Sequence, residues 1–180
     1  MTTGEGGMIT TSESELARRL RRLRQHGMGE EETEEAGYNF RMNELAAAIG
    51  RVQLQRLPGL LGKRRQAAGW YAEDLKDLDW LILPDSPDTS SHAFQSYVVR
   101  TAGDSPVSRE QVIERLKQDA IESQAGVRPV HLHKPYRETA KAPLPVSEQA
   151  GNTALFLPMH AELEREDVER VCRSLRSLTS

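Results

Sequence analysis

The spacing of apolar residues alternates along the chain between a helical and an extended rhythm. Met8-Ile9-Thr10 is a short apolar run that predicts a strand. Leu16, Leu20 and Leu23 then recur at helical spacing, and Ser12 followed by Glu15 has the form of a capping box, which predicts a helix over about 12–26. Gly27 and Gly29 supply its stop signal. A helix is expected over about 43–57, where Ala46, Ala47, Ala48 and Gly50 leave a thin face that another element can approach closely. Pro58-Gly59 predicts an interruption, and a long amphipathic helix follows over about 60–78 with Tyr71 and Leu75 on its apolar side.

The second half reads as a small α/β unit. Residues 80–83 are extended and end at Pro84, and a Pro/Asp/Ser loop leads to a strand within 92–101, marked by Phe94, Tyr97, Val98 and Val99. Ser108 and Gln111 cap a helix to about 119, with Val112, Ile113 and Leu116 inward. A proline-rich crossing (Pro129, Pro135, Pro143, Pro145) precedes a helix over about 147–155, a short apolar segment at 156–158 and a last helix over 164–178. The pattern is α/β: long helices first, then a sheet with covering helices, with the seam near 78–87.

Composition narrows the class. A chain of 180 residues, 37% hydrophobic and 28% charged, can bury a core and is no disordered tail. No apolar run approaches the ~18 residues of a membrane span, and the first residues lack the basic and apolar regions of a signal peptide, so a cytoplasmic address is expected. The single cysteine, Cys172, excludes an internal disulfide framework and a multi-cysteine zinc site; its position between Val171 and Leu175 predicts a core residue. A net charge of -3 gives no reason to expect nucleic acid. Arg18, Arg19, Arg21, Arg22 and Arg24 could form a phosphate-binding face, but the acidic run from Glu30 to Glu35 favours a solvated, ion-paired surface.

No complete catalytic constellation is visible, and no nucleophile-elbow GxSxG occurs. The glycines of TTGEGG, residues 2–7, suit a tight turn with positive φ rather than a phosphate loop opening a helix. His131-Leu132-His133 would share a face on a strand and could hold a metal, but no further ligands lie nearby in sequence, so no metal is expected. Asn39 and Arg41, an amide and a guanidinium two residues apart in a turn before a helix, suit a phosphate or a carboxylate. The same residues also read as a turn asparagine and a surface arginine.

Six segments in this order resemble the DegT-type sugar aminotransferases, pyridoxal-phosphate (PLP) enzymes of the aspartate-aminotransferase fold. They are TTGEGGMITT (2–11), LRQHGM (23–28), GYNFRMNELAAAIGRVQLQRL (37–57), KRRQAAGWYAEDL (63–75), PVHLHKPY (129–136) and LFLPMH (155–160). The resemblance implies the end of a large PLP-binding domain with connecting helices over 1–78, and a C-terminal small α/β domain over 79–180. It implies transfer of an amino group, usually from glutamate, to a keto group on a nucleotide-linked sugar, in a homodimer. Asn39 matches the asparagine that reaches the PLP phosphate of the other subunit, Arg41 the neighbouring arginine, and His131 a histidine near the substrate.

The chain also departs from the family pattern. The Schiff-base lysine of the family lies a couple of residues before TTGEGG, ahead of Met1, and Lys63, Lys76, Lys117, Lys134 and Lys141 all match other segments. Gly126-Val127 stands where the family has His-Tyr. The chain is therefore expected to be a C-terminal portion, inactive alone, of an aminotransferase; a related enzyme of this fold with histidine in place of the lysine would be a dehydratase. The alternative is a short non-catalytic partner or regulatory module that pairs with a full-length aminotransferase. Either way, residues 1–57 are expected to lack part of their packing surface.

Overall fold

The computed structural model describes residues 1–85, 92–138 and 142–179. Most of the expected Pro/Asp/Ser loop, and Lys141, lie outside the described residues. The chain divides into two compact units, Met1–Pro58 and Gly59–Ser180.

In the first unit, Met8 and Ile9 are 79% and 71% exposed and pair with no other strand, so the expected strand at 8–10 does not form. A strand needs a ladder partner, and a short apolar run cannot supply one by itself. Helix α1 spans Ser14–Leu23 with Glu13, not Ser12, at its N-cap position and no side-chain cap bond. The expected Ser12–Glu15 capping box is absent: the Glu13 amide donates to Thr11 Oγ1 at 3.1 Å, and Glu15 pairs with Arg18 one turn on. Beyond α1, His26 and Gly27 adopt φ of 59° and 73°, turning the chain back.

Helix α2 spans Glu44–Leu75, 32 residues without the interruption expected at Pro58-Gly59. Asn43 Oδ1 accepts from the Ala46 amide at 2.8 Å and satisfies its first turn. Pro58 removes the hydrogen bond to the Leu54 carbonyl, at a cost of about 3 kcal/mol. Strong helix formers on both sides, and the buried stripe of Ala67, Ala68, Tyr71 and Leu75, carry the helix through it.

The second unit is built on a four-stranded antiparallel sheet of order β1-β2-β4-β3. The strands are β1 (Leu81–Ile82), β2 (Tyr97–Thr101), β3 (Gln124–Ala125) and β4 (Ala154–Leu157). Central β2 and β4 pair Tyr97 with Leu157 and Val99 with Leu155, and alternation on β2 buries Tyr97, Val99 and Thr101. The helices of this unit are α3 (Arg109–Gln118), α4 (Pro145–Thr153) and α5 (Arg165–Arg176). The expected capping box opens α3: the Ser108 side chain accepts from the Gln111 amide and Gln111 accepts in return from the Ser108 amide. Val112 and Leu116 of α3, Val168, Cys172 and Leu175 of α5, and Tyr71 and Leu75 of α2 close one core over the sheet. Arg165 bonds Asp74 at 2.7 Å and Arg176 bonds Asp77 at 2.9 Å, tying the end of α2 to α5. The proline-rich crossing contains two single 3₁₀ turns, Val130–Leu132 and Lys134–Tyr136. The two-residue strand β3 carries no sequence signal, because both its residues are exposed and neither is β-branched.

Candidate functional site

Backbone crossing in the first unit gives Asn39 and Arg41 their setting. The segment 38–40 runs antiparallel to the end of α1: the Tyr38 amide donates to Leu23 O at 2.6 Å, the Phe40 amide to Arg24 O at 3.0 Å, and the His26 amide to Tyr38 O at 2.9 Å. Extended backbone alternates its side chains. Tyr38 and Phe40 therefore share one face and stack at 4.8 Å with 7° between rings. Asn39 and Arg41 share the other, where Arg41 Nε donates to Asn39 Oδ1 at 3.2 Å. That bond uses the acceptor of the amide and one donor of the guanidinium. The Asn39 NH₂ and the two outer Arg41 nitrogens make no hydrogen bond to any described residue. Such a fork of donors can bind an anion.

Glycines make this crossing possible. A β-carbon on Gly37 would collide with the Gly27 nitrogen, and one on Gly27 with the Glu35 carbonyl. The acidic run folds back on α1: Arg19 and Arg22 reach Glu35 at 3.2 Å each, and Arg22 reaches Glu34 at 3.1 Å. Desolvation pulls the Glu35 carboxyl upward, but the two arginines outweigh it and hold the group below the usual carboxylate range. Two of the five arginines are thus ion-paired to the acidic run. TTGEGG forms the expected turn, with Gly4 and Gly6 at φ of 83° and 145° and the Gly4 amide donating to Thr2 Oγ1 at 3.1 Å. Thr3 packs against Gly50 and Met42 against Gly6, so the turn sits at the start of α2 within the same unit.

His131 belongs to the second unit. It lies on the 3₁₀ turn Val130–Leu132, not on a strand, so the facing pair with His133 does not arise. Its Nε2 lies 3.1 Å from Glu148 Oε1 in the first turn of α4, with the imidazole 13% exposed. Glu148 is held below the usual carboxylate range by that bond and by the Leu144 amide. Sequence reasoning missed Glu148; only its place three residues after Pro145, at a helix start, hinted at a role. Among the described residues no group of three metal-ligating side chains converges. Gly126, which stands in place of a histidine in the resembled pattern, donates to Ala154 O at 2.6 Å, and a β-carbon there would meet Ala154 Cβ at 2.5 Å. No larger side chain fits this backbone path.

Cys172 is buried in the core, as expected, and burial pushes its thiol up to about 12. No helix among the described residues is long and apolar enough to cross a membrane.

The chain resembles known proteins over nearly all its length. It is 38% identical over 179 residues to the GDP-perosamine synthase of Caulobacter vibrioides, covering 97% of this chain and 48% of that protein. Among solved structures, the aminotransferase TlmJ from Streptoalloteichus hindustanus superposes with a TM-score of 0.82 at 34% identity, over 99% of this chain and 50% of that one. The S. venezuelae DesV structure, in complex with a ketimine intermediate, gives a TM-score of 0.84 at 32% identity, over 93% and 45%. The chain spans about half the length of the curated relatives it matches. Residues 1–176 match the pattern of a single family, and the chain belongs to the DegT/DnrJ/EryC1/StrS aminotransferase family.

Proposed function

We propose that this chain is the C-terminal portion of a PLP-dependent aminotransferase that moves an amino group from glutamate to a keto group on a nucleotide-linked sugar. In that reading residues 1–78 close the large PLP-binding domain and residues 79–180 form the small domain. The observation that carries it is the Asn39–Arg41 fork on a segment hydrogen-bonded to the end of α1. Its free donors and its acceptor already used fit a phosphate monoester.

PLP, when bound, supplies the electron sink for amino transfer. The chain's own part is to bind and orient. Asn39 Nδ2 and the outer nitrogens of Arg41 hold the phosphate of a cofactor seated in the other subunit of a homodimer. His131 lies near the sugar. The lysine that carries the cofactor comes from the preceding half, so the chain alone is inactive.

The second reading, a short non-catalytic partner or regulatory module of a full-length homologue, shares with the first the exposed side of α2. Leu45, Ile49 and Val52 fall on one helical face and are 80%, 51% and 56% exposed. Both readings require another polypeptide on that face.

The test supplies the chain with PLP, glutamate and a nucleotide-linked keto sugar, alone and together with the N-terminal half of a family member. The expected result is 2-oxoglutarate only in the combined sample, with Arg41→Ala weakening PLP binding about tenfold, the loss of one charge-assisted contact. Turnover by the chain alone would overturn the portion reading. A combined sample that binds PLP equally well with Asn39→Ala and Arg41→Ala would overturn the phosphate assignment.

A further inference from the structure

Outside the fork, the His131–Glu148 pair joins the proline-rich crossing to α4. The described residues of the crossing hold two single 3₁₀ turns, so their own backbone fixes little. Two things anchor it instead. Gly151 of α4 lies so close to the ring of Pro129 that a β-carbon there would meet Pro129 Cδ at 2.6 Å. Two residues on, His131 Nε2 meets Glu148 Oε1 at 3.1 Å, three residues before that same glycine. The same carboxylate oxygen accepts from the Leu144 amide at 3.4 Å, the residue that caps α4.

An ionised carboxylate can only accept, so the ring nitrogen facing it carries the proton. Hydrogen bonding at one ring nitrogen decides the role of the other. With Nε2 committed as donor, the neutral imidazole has its lone pair on Nδ1. The imidazole is largely enclosed while Glu148 is 39% exposed, so the carboxylate holds a ring whose rotation is already restricted.

We infer that Glu148 is a positioning residue: it fixes the orientation and Nε2–H tautomer of His131, so that Nδ1 is the nitrogen with which His131 accepts a hydrogen bond from the hydroxylated sugar substrate. The inference rests on the placement of His131 beside the substrate proposed above. Glu148 itself touches no substrate. It acts by restricting His131 to one ring orientation and one pattern of hydrogen bonding.

The test has two readouts. In the 180-residue chain labelled at histidine nitrogen, the His131 Nε2–H proton is expected as a solvent-protected resonance coupled to Nε2. Glu148→Ala should abolish it, and Glu148→Gln, which keeps an acceptor oxygen at the same reach, should retain it. The methyl resonances of Val99 and Leu155, in the sheet core, report whether each variant is folded. In the reconstituted enzyme, Glu148→Ala should raise KM for the nucleotide sugar at least fivefold with KM for glutamate unchanged, and Glu148→Gln should recover most of that loss. A protected Nε2–H that survives in folded Glu148→Ala overturns the pairing. A resonance lost on Glu148→Ala with an unchanged sugar KM overturns the substrate role of His131 and leaves the pair as a tie between the crossing and α4.

Discussion

Gly27 and Gly37 cross with no space for a β-carbon on either, and that crossing lays the segment bearing Asn39 and Arg41 along the end of α1. Gly27 has a second reason to be glycine, a φ of 73°. Two kinds of constraint, steric and conformational, therefore converge a few residues from the proposed phosphate fork.

Gly37→Ala should displace this segment and destabilise the first unit by roughly 1–3 kcal/mol. The measurement is amide hydrogen exchange at Tyr38 and Phe40, whose protection should fall. Gly59→Ala is the control: it lies inside α2 with open space around it, and should be neutral or stabilise by up to about 1 kcal/mol. Equal effects from the two substitutions would count against the crossing.

Glu35 gives the first unit a pH dependence of known sign. Its carboxyl lies lower in the folded chain than in the unfolded one, through Arg19 and Arg22. Its contribution is therefore full above the ordinary glutamate range near about 4.3 and is lost as pH falls through the lower folded value. Acid titration followed at the Glu34 amide, which donates to Gly27 O, should show this step. Glu35→Gln should remove it.

Cys172 should be inert toward a thiol reagent at pH 8 in the folded chain. Its thiol is raised to about 12 and the residue is only 3% exposed. Modification should become fast only in denaturant, at a rate set by unfolding of the second unit. Prompt stoichiometric labelling of native protein would show that α5 does not cover the sulfur.

The exposed stripe of Leu45, Ile49 and Val52 predicts that the isolated chain self-associates. Light scattering after size exclusion should show mass rising with concentration, and Leu45→Glu with Ile49→Glu should shift it toward one chain. A monodisperse wild-type monomer with a sharp two-state melt would contradict this.

The sequence made the second unit nearly readable because its elements carry local signals. The Ser108–Gln111 box, a strand over Tyr97, Val98 and Val99, and the inward Val112 and Leu116 all appear in the fold as expected. Local signals failed where long-range terms decide. Ser12 has the right neighbours for a cap, but the N-cap position falls on Glu13, which makes no side-chain cap bond. Pro58 reads as a stop, yet the helix continues because a single lost hydrogen bond is small beside its neighbours' propensity and the burial that follows. Asn39 and Arg41 are visible as a pair by residue type and spacing, but the turn expected to hold them is instead a segment bridged antiparallel to the end of α1. Glu148 is not visible in the sequence, because its partner lies 17 residues away across irregular backbone.

The sheet of the second unit ends on both sides in strands of two residues, Leu81–Ile82 and Gln124–Ala125. So little open backbone gives an incoming strand almost nothing to zip onto, which is how natural sheets resist fibril growth. Association through the exposed stripe of α2 needs no strand pairing at those edges. The chain's aggregates should keep their helical signal and leave amyloid dyes dark.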